Sequence, residues 1–173
     1  MSKTHFKFMV KYFKKRDEKY PPLNKIKKTK IEEGNIVLDY GCGPGSYSIA
    51  AAKVIGNSGR VYAADIHPLA INEVKKRAQE ENLKNIVTIL TDCDTKLKNE
   101  SIDVVLLLDI YHNLSYPESI LKEMYRVLKV NGWLSVDDHH YEDDELRTKI
   151  TNTGLFRFYE KKDELYTFTK INN

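Results

Sequence analysis

The stretch Val37-Leu38-Asp39-Tyr40-Gly41-Cys42-Gly43-Pro44-Gly45 decides how the chain is read. Ile36 to Asp39 is a short β-branched and aliphatic run, and the glycines after it end a strand and open a helix at Ser46. Gly41 and Gly43 let the backbone turn tightly and approach a ligand with no Cβ in the way. Pro44 suits a helix start, and Gly45 leaves room beside it. On the glycines alone, a bare strand-to-helix turn and a ligand-cradling loop are equally good readings.

Strand and helix alternate outward from this loop. Ser46 to Ile55 is small and apolar, suited to a helix on a sheet, Arg60 to Asp65 reads as a second strand, and Leu69 to Glu81 as a second helix. Ile86 to Leu90 is a strand and Asp92 to Ser101 a polar loop. Ile102 to Leu108 is apolar apart from Asp103, with an unbroken run from Val104, which implies a strand buried on both faces, as in a parallel sheet. Tyr116 to Leu128 is a helix with Pro117 near its first turn, and Asn131-Gly132 is a turn signal leading into the strand Trp133 to Asp137. A polar helix around Asp143 to Thr151 precedes two strands, Leu155 to Glu160 and Glu164 to Lys170. The short polar Lys161-Lys162-Asp163 between them predicts a hairpin. The expected architecture is a three-layer, doubly wound α/β sheet of seven strands, the last antiparallel, in a single domain over residues 1–173.

Upstream, the charge is uneven. The formal total is +3, but residues 1–30 hold eleven basic and two acidic side chains, a net of +9. The rest carries 17 basic against 23 acidic groups, or −6. Within the arm, Phe6, Met9, Val10 and Phe13 recur at helical spacing and predict a short amphipathic helix that ends at Pro21-Pro22. Leu23, Ile26 and Lys30 suggest a second helical piece before Glu33-Gly34. Hydrophobic residues at 41% and charged ones at 31% exclude a disordered tail protein. A mean hydropathy of −0.53 with no long apolar run excludes a membrane-spanning helix. Met1-Ser2-Lys3-Thr4 has no signal-peptide character, and two cysteines, Cys42 and Cys93, fit a reducing, cytoplasmic setting.

In a doubly wound sheet the ligand sits at the carboxyl ends of the strands, next to the first one. Asp65 closes the second strand, where a carboxylate can accept hydrogen bonds from both hydroxyls of a ribose. Asp39, two residues before the first glycine, would repel a pyrophosphate but favour a ligand carrying ammonium and sulfonium charges. Ser46 stands where the dinucleotide fingerprint needs its last glycine. Together these residues resemble the class I S-adenosylmethionine-dependent methyltransferases, in particular the branch related to ubiquinone and menaquinone methyltransferases. The match covers roughly residues 33–137.

That resemblance implies S-adenosyl-L-methionine as cofactor in a Rossmann-like methyltransferase sheet. Asp39, Gly41, Gly43 and Gly45 would line its methionine and ribose, Asp65 would bind the ribose, and Ile66 would pack on the adenine. Asp92 would face the adenine by its side chain and Cys93 by its backbone. Asp109, in Asp109-Ile110-Tyr111-His112, would stand between cofactor and acceptor. Val130-Asn131 replaces a Pro-Gly usual in the family. Methyl transfer needs proximity and alignment, and a base only where the acceptor loses a proton. His112 is the first candidate base, with Tyr111 and His139 beside it, although each also suits an ordinary polar lining. His139 and His140 with Asp137 and Asp138 offer metal-ligand types in no zinc or iron spacing, so no metal is expected.

The resemblance makes a small molecule the expected acceptor, and residues 1–33 a basic helical lid over the core of residues 34–173, with Tyr20 near the entrance. Arsenite methylation would call for a thiolate cluster, and DNA amine methylation for Pro-Pro after the fourth strand; neither is present. The alternatives are a methyltransferase that reaches RNA or protein through the basic arm, a nicotinamide-dependent oxidoreductase, and a non-catalytic partner protein. Oligomeric state is not legible.

Overall fold

The apolar runs do become a seven-stranded sheet, ordered β3-β2-β1-β4-β5-β7-β6. The computed structural model describes residues 3–142 and 144–172. Strands β1 (Ile36–Tyr40), β2 (Arg60–Asp65), β3 (Ile86–Leu90), β4 (Ile102–Leu108) and β5 (Leu128–Asp137) run parallel. β7 (Leu165–Lys170) lies antiparallel between β5 and β6 (Phe156–Lys162). Strand order reverses at β1, with β2 on one side and β4 on the other, so their carboxyl ends open a crevice.

Alternate residues of each strand feed two cores. Val37, Val104 and Leu106 face one side with Ala51 and Ile55 of α3 (Ser46–Ile55) and Ile26 of α2 (Pro22–Ile26). Leu38, Val105 and Leu107 face the other with Leu121, Met124 and Val127 of α5 (Pro117–Val127) and Leu146 and Ile150 of α6 (Glu145–Thr151). Helices on both faces make the three layers. Burying a side chain such as Leu121 or Met124 contributes about 1.5–3 kcal/mol, and truncating either to alanine would cost about 2–5 kcal/mol. The two remaining helices are α1 (Lys3–Lys19) and α4 (Pro68–Glu80).

Three expectations need correction. Asn131-Gly132 is not a turn: α5 passes directly into β5, and the two residues sit in an irregularity where Ile102 pairs with Leu128 but Val104 with Trp133. A Cβ on Gly132 would lie 2.7 Å from Leu128 Cδ1 and 2.9 Å from the Asp103 carbonyl oxygen, so this glycine serves close packing. The last hairpin is tighter than expected. Lys162 pairs with Leu165, leaving Asp163 and Glu164 as the connection, with Asp163 at φ 51°. The polar helix α6 starts at Glu145, and Asp143 lies outside the described residues.

The basic arm is pinned to the acidic body at its second half. Lys25 pairs with buried Asp137, Lys28 with Asp163 at 2.6 Å and Lys30 with Glu160 at 2.7 Å. No described helix is long and apolar enough to cross a membrane.

Candidate active site

The three glycines after β1 all have positive φ, at 74°, 50° and 86°, but their surroundings differ. A Cβ on Gly41 would lie 2.3 Å from Ile110 Cγ1, and one on Gly45 2.8 Å from Val74 Cγ2. These two are glycine because the protein itself fills the space. A Cβ on Gly43 would meet nothing within 4 Å. At Gly43, unlike Gly41 and Gly45, the loop therefore leaves open space beside the backbone.

Asp65 ties this loop to the end of β2. Its Oδ2 accepts the Gly43 N–H at 2.9 Å and its Oδ1 the His67 N–H at 2.7 Å, so both oxygens are fixed in place with lone pairs to spare. Asp39 lies beneath the loop, 2% exposed, and accepts the Ser48 hydroxyl at 2.5 Å. Burial, with a smaller contribution from the nearby Asp65 charge, pushes its carboxyl up to about 6 despite that hydrogen bond. Burial likewise raises the Cys42 thiol well above its ordinary value, which leaves it an inert packing group.

Beside the loop is a cavity of about 150 Å³ walled by Gly41, Asp65, Ile66, Asp92, Asn113 and Tyr116. Ile66, on this wall, is 70% exposed. Cys93 is not on this wall. Its N–H is taken by Thr91 Oγ1 at 3.2 Å, and its side chain packs against the core, so Thr91 and Asp92 line the cavity instead. The loop is held by a group that sequence reading passed over. Glu123 of α5 accepts the Thr95 N–H at 2.9 Å and its hydroxyl at 2.6 Å, and is clasped by Arg126 at 2.7 Å. Burial opposes the Glu123 charge, but those contacts prevail and hold its carboxyl below the usual value.

The ends of β4 and β5 form a second cluster. Asp109 has φ 57°, with its N–H bonded to the Asp137 carbonyl at 2.8 Å. His112 donates its backbone N–H to Asp138 Oδ2 at 2.9 Å and sets its ring Nδ1 2.8 Å from the same oxygen. His140 Nδ1 lies 3.1 Å from Asp138 Oδ1, and the His112 and His140 rings are 3.7 Å apart. Burial works against the Asp138 charge, but the bonds from His112 and His140 win and keep its carboxyl below the usual range. His139, largely exposed, places Nδ1 2.7 Å from Asp109 Oδ1. Tyr111 is buried and meets Tyr141 edge-on, and burial raises its phenol, which disfavours it as a base. His112 and Tyr111 also border an open pocket of about 540 Å³ with Lys122, Tyr141, Lys149 and Asn152.

Helix α1 crosses the glycine loop. Ser46 donates its hydroxyl to Asp17 at 2.5 Å, Arg16 lies 4.0 Å from Asp109, and Phe13 helps wall a small gap of about 30 Å³ over Gly43. Phe6 stacks on His67 with ring centres 5.7 Å apart. Tyr20 is elsewhere, on a separate pocket of about 470 Å³ with Lys19, Lys25, Tyr47 and Asp137. The outer face of α1 carries Lys7, Lys11, Lys14 and Lys15, with Phe8 68% and Tyr12 67% exposed.

A doubly wound sheet in this strand order, with a glycine turn after β1 and an acidic end to β2, defines the class I S-adenosylmethionine-dependent methyltransferases. The chain belongs to the methyltransferase domain family, whose model matches residues 31–172. It is 32% identical over 137 residues to the ubiquinone/menaquinone biosynthesis C-methyltransferase UbiE of Hydrogenovibrio crunogenus, covering 78% of this chain and 54% of that one. It is 31% identical over 113 residues to a demethylmenaquinone methyltransferase of Lactobacillus johnsonii, covering 64% and 46% respectively. The chain thus spans about half the length of these curated relatives. A crystal structure of a SAM-dependent methyltransferase from Aquifex aeolicus shares the fold with TM-score 0.78 at 24% identity, covering 88% of this chain and 89% of that one.

Proposed function

We propose that the chain transfers a methyl group from S-adenosylmethionine to a small-molecule acceptor held at the ends of β4 and β5. The open cradle at Gly43 between two glycines that the protein does fill carries this reading. The donor set fits the cofactor: Asp65 and Asp92 border the cavity and Asp39 adds a carboxyl buried beneath the loop, Asp65 can still accept from a ribose, and exposed Ile66 gives an adenine an apolar face. Gly41 and Gly45 shape the cradle. Asp109 faces its far side, and Thr91 takes the wall position first expected for Cys93. Bound there, the cofactor supplies an electrophilic methyl carbon on sulfur.

The chain's own residues align the acceptor and handle its proton. Asp138 holds a proton on His112 Nδ1, which leaves Nε2 as the basic nitrogen; Asn113 Nδ2 now caps it at 2.6 Å. An acceptor hydroxyl or acidic C–H that displaces this amide can pass its proton to Nε2. The pocket beside His112, with Lys122 and Lys149 on its rim, is large enough for a small organic molecule. Quinone precursors of the kind that the relatives' names imply are one such class. Residues 1–33 act as a lid on a single domain, with α1 excluding water from the loop.

S-adenosylmethionine or its demethylated product should raise the melting temperature, and NAD and NADP should not. Stabilisation by NAD alone would sink this reading and favour the oxidoreductase. The exposed lysines and aromatics on the outer face of α1 support a second reading, in which the same chemistry is brought to RNA or another anionic partner.

A further inference from the structure

Four side chains from the two loops after β4 and β5 converge: Asp109, His112, Asp138 and His140 each offer a ligand atom, all within 4.8 Å of one another. Two ligands at about 2.1 Å from one ion, at octahedral to tetrahedral angles, are about 3.0–3.4 Å apart. His112 Nδ1 and Asp138 Oδ1 are 3.0 Å apart, and His140 Nδ1 and Asp138 Oδ1 3.1 Å. Both imidazoles therefore turn the same nitrogen toward one carboxylate, at a spacing that suits hydrogen bonds and a shared ion alike.

Charge and hydrogen bonding point the same way. Asp137, the third carboxylate here, is paired with Lys25, whereas the Asp138 side chain is fully buried and, among the described residues, is bonded by the backbone N–H groups and ring Nδ1 atoms of His112 and His140. Asp109 Oδ1 is buried and receives no hydrogen bond among the described residues; His139 Nδ1 is 2.7 Å away but without the alignment of one. Asn113 sits behind His112 Nε2 at 2.6 Å, and with its amide turned would accept Nε2–H, the outer contact that orients a ligating imidazole.

We propose that Asp109, His112, Asp138 and His140 bind one divalent first-row transition-metal ion, of the manganese, cobalt or zinc kind, between the cofactor cradle and the acceptor pocket. Two imidazoles, two carboxylates and no thiolate suit these ions better than magnesium or calcium, which take oxygen ligands. The ion would replace the protons that the two Nδ1 atoms otherwise share with Asp138, and with it bound His112 would carry its proton on Nε2, so the base role proposed for that nitrogen belongs to the metal-free site. A position left open to the pocket would take an oxygen donor, which, resting on the methyltransferase reading, makes the acceptor a hydroxylated compound such as a phenol or enol. In that transfer the acceptor oxygen forms the bond to the methyl carbon, the carbon–sulfur pair stays on sulfur, and the hydroxyl proton leaves to solvent.

The test is titration of the chelator-treated protein with Co²⁺, read by its visible ligand-field bands and by calorimetry, without cofactor or acceptor. Saturable binding of one ion is expected, with magnesium unable to compete. His140→Ala, on an exposed loop, and Asp109→Asn, close to isosteric, should each weaken it at least tenfold, at or beyond the 10–100-fold typical of losing an outer contact. Absence of saturable binding, or wild-type affinity in both variants with folding intact by circular dichroism, would overturn the site. Either variant failing to fold leaves the other and the wild-type titration to decide. The melting shift with S-adenosylmethionine, measured in chelator, tests the methyltransferase reading separately.

Discussion

Two clusters sit at the carboxyl end of one sheet and are built in opposite ways. The Gly41–Gly45 loop with Asp65 is made from backbone: positive φ angles, amides turned onto one carboxylate, and space where a side chain would be. The Asp109 to His140 cluster is made from side chains crowded around one buried carboxylate. The first opens backbone space beside a small cavity, and the second holds charged and titratable side chains at fixed points. A single substitution should therefore abolish binding in the first, whereas in the second it should leave the fold and alter chemistry.

The sharpest break of that contrast is within the loop. Gly43→Leu should lower affinity for S-adenosylmethionine more than about 100-fold by calorimetry, while left-handed strain costs only about 1–2 kcal/mol of stability. Gly41→Ala should do the reverse. Its Cβ would collide with Ile110, and overpacking with strain should cost about 2–4 kcal/mol in a denaturant melt. If both variants lost stability alike, the cradle at Gly43 would not be a ligand's space.

Asp39 carries the next largest effect. An aspartate ordinarily titrates near 3.9, and this one near 6 because it is buried, so the folded state binds its proton more tightly than the unfolded chain does. Its stabilising contribution is full below about pH 4 and is lost as pH rises through 6, a change of about 3 kcal/mol at most. Asp39→Asn should flatten that pH dependence and raise the melting temperature at pH 7–8 while weakening cofactor binding. A variant no more stable at pH 8 would mean that the carboxylate is not strained there.

Removing residues 1–19 should weaken cofactor affinity about tenfold, or 1.4 kcal/mol, because Asp17, Phe13 and Phe6 leave the loop and His67. An undiminished affinity would show that α1 serves a partner instead of the cradle. Smallest of all, Phe8→Ser with Tyr12→Ser on the outer face should leave cofactor affinity within error. A loss there would relocate the lid contact.

The first cluster was legible because its residues are contiguous and their backbone demands are written in glycine. The strands were legible too, since Val104 to Leu108 is apolar without a break. Cys93 lies off the cavity wall with its amide bonded locally to Thr91, a competition that spacing cannot reveal. Asn131-Gly132 misled because the crowding that requires glycine there comes from Leu128 and Asp103. The second cluster was only half visible. His112 meets Asp138 across 26 residues of chain, and no linear ligand spacing could announce four side chains drawn from two loops. Glu123 gave no signal at all, because what marks it is the loop that it holds.

The lysines on the outer face of α1 point to water while Lys25, Lys28 and Lys30 of the following segment are spent on Asp137, Asp163 and Glu160. With the acidic body behind it, the molecule is an electric dipole more than a weakly positive sphere. In a field, or before a negatively charged surface, it should arrive with α1 leading, so that the helix over the cofactor loop is also the first part to touch whatever attracts it.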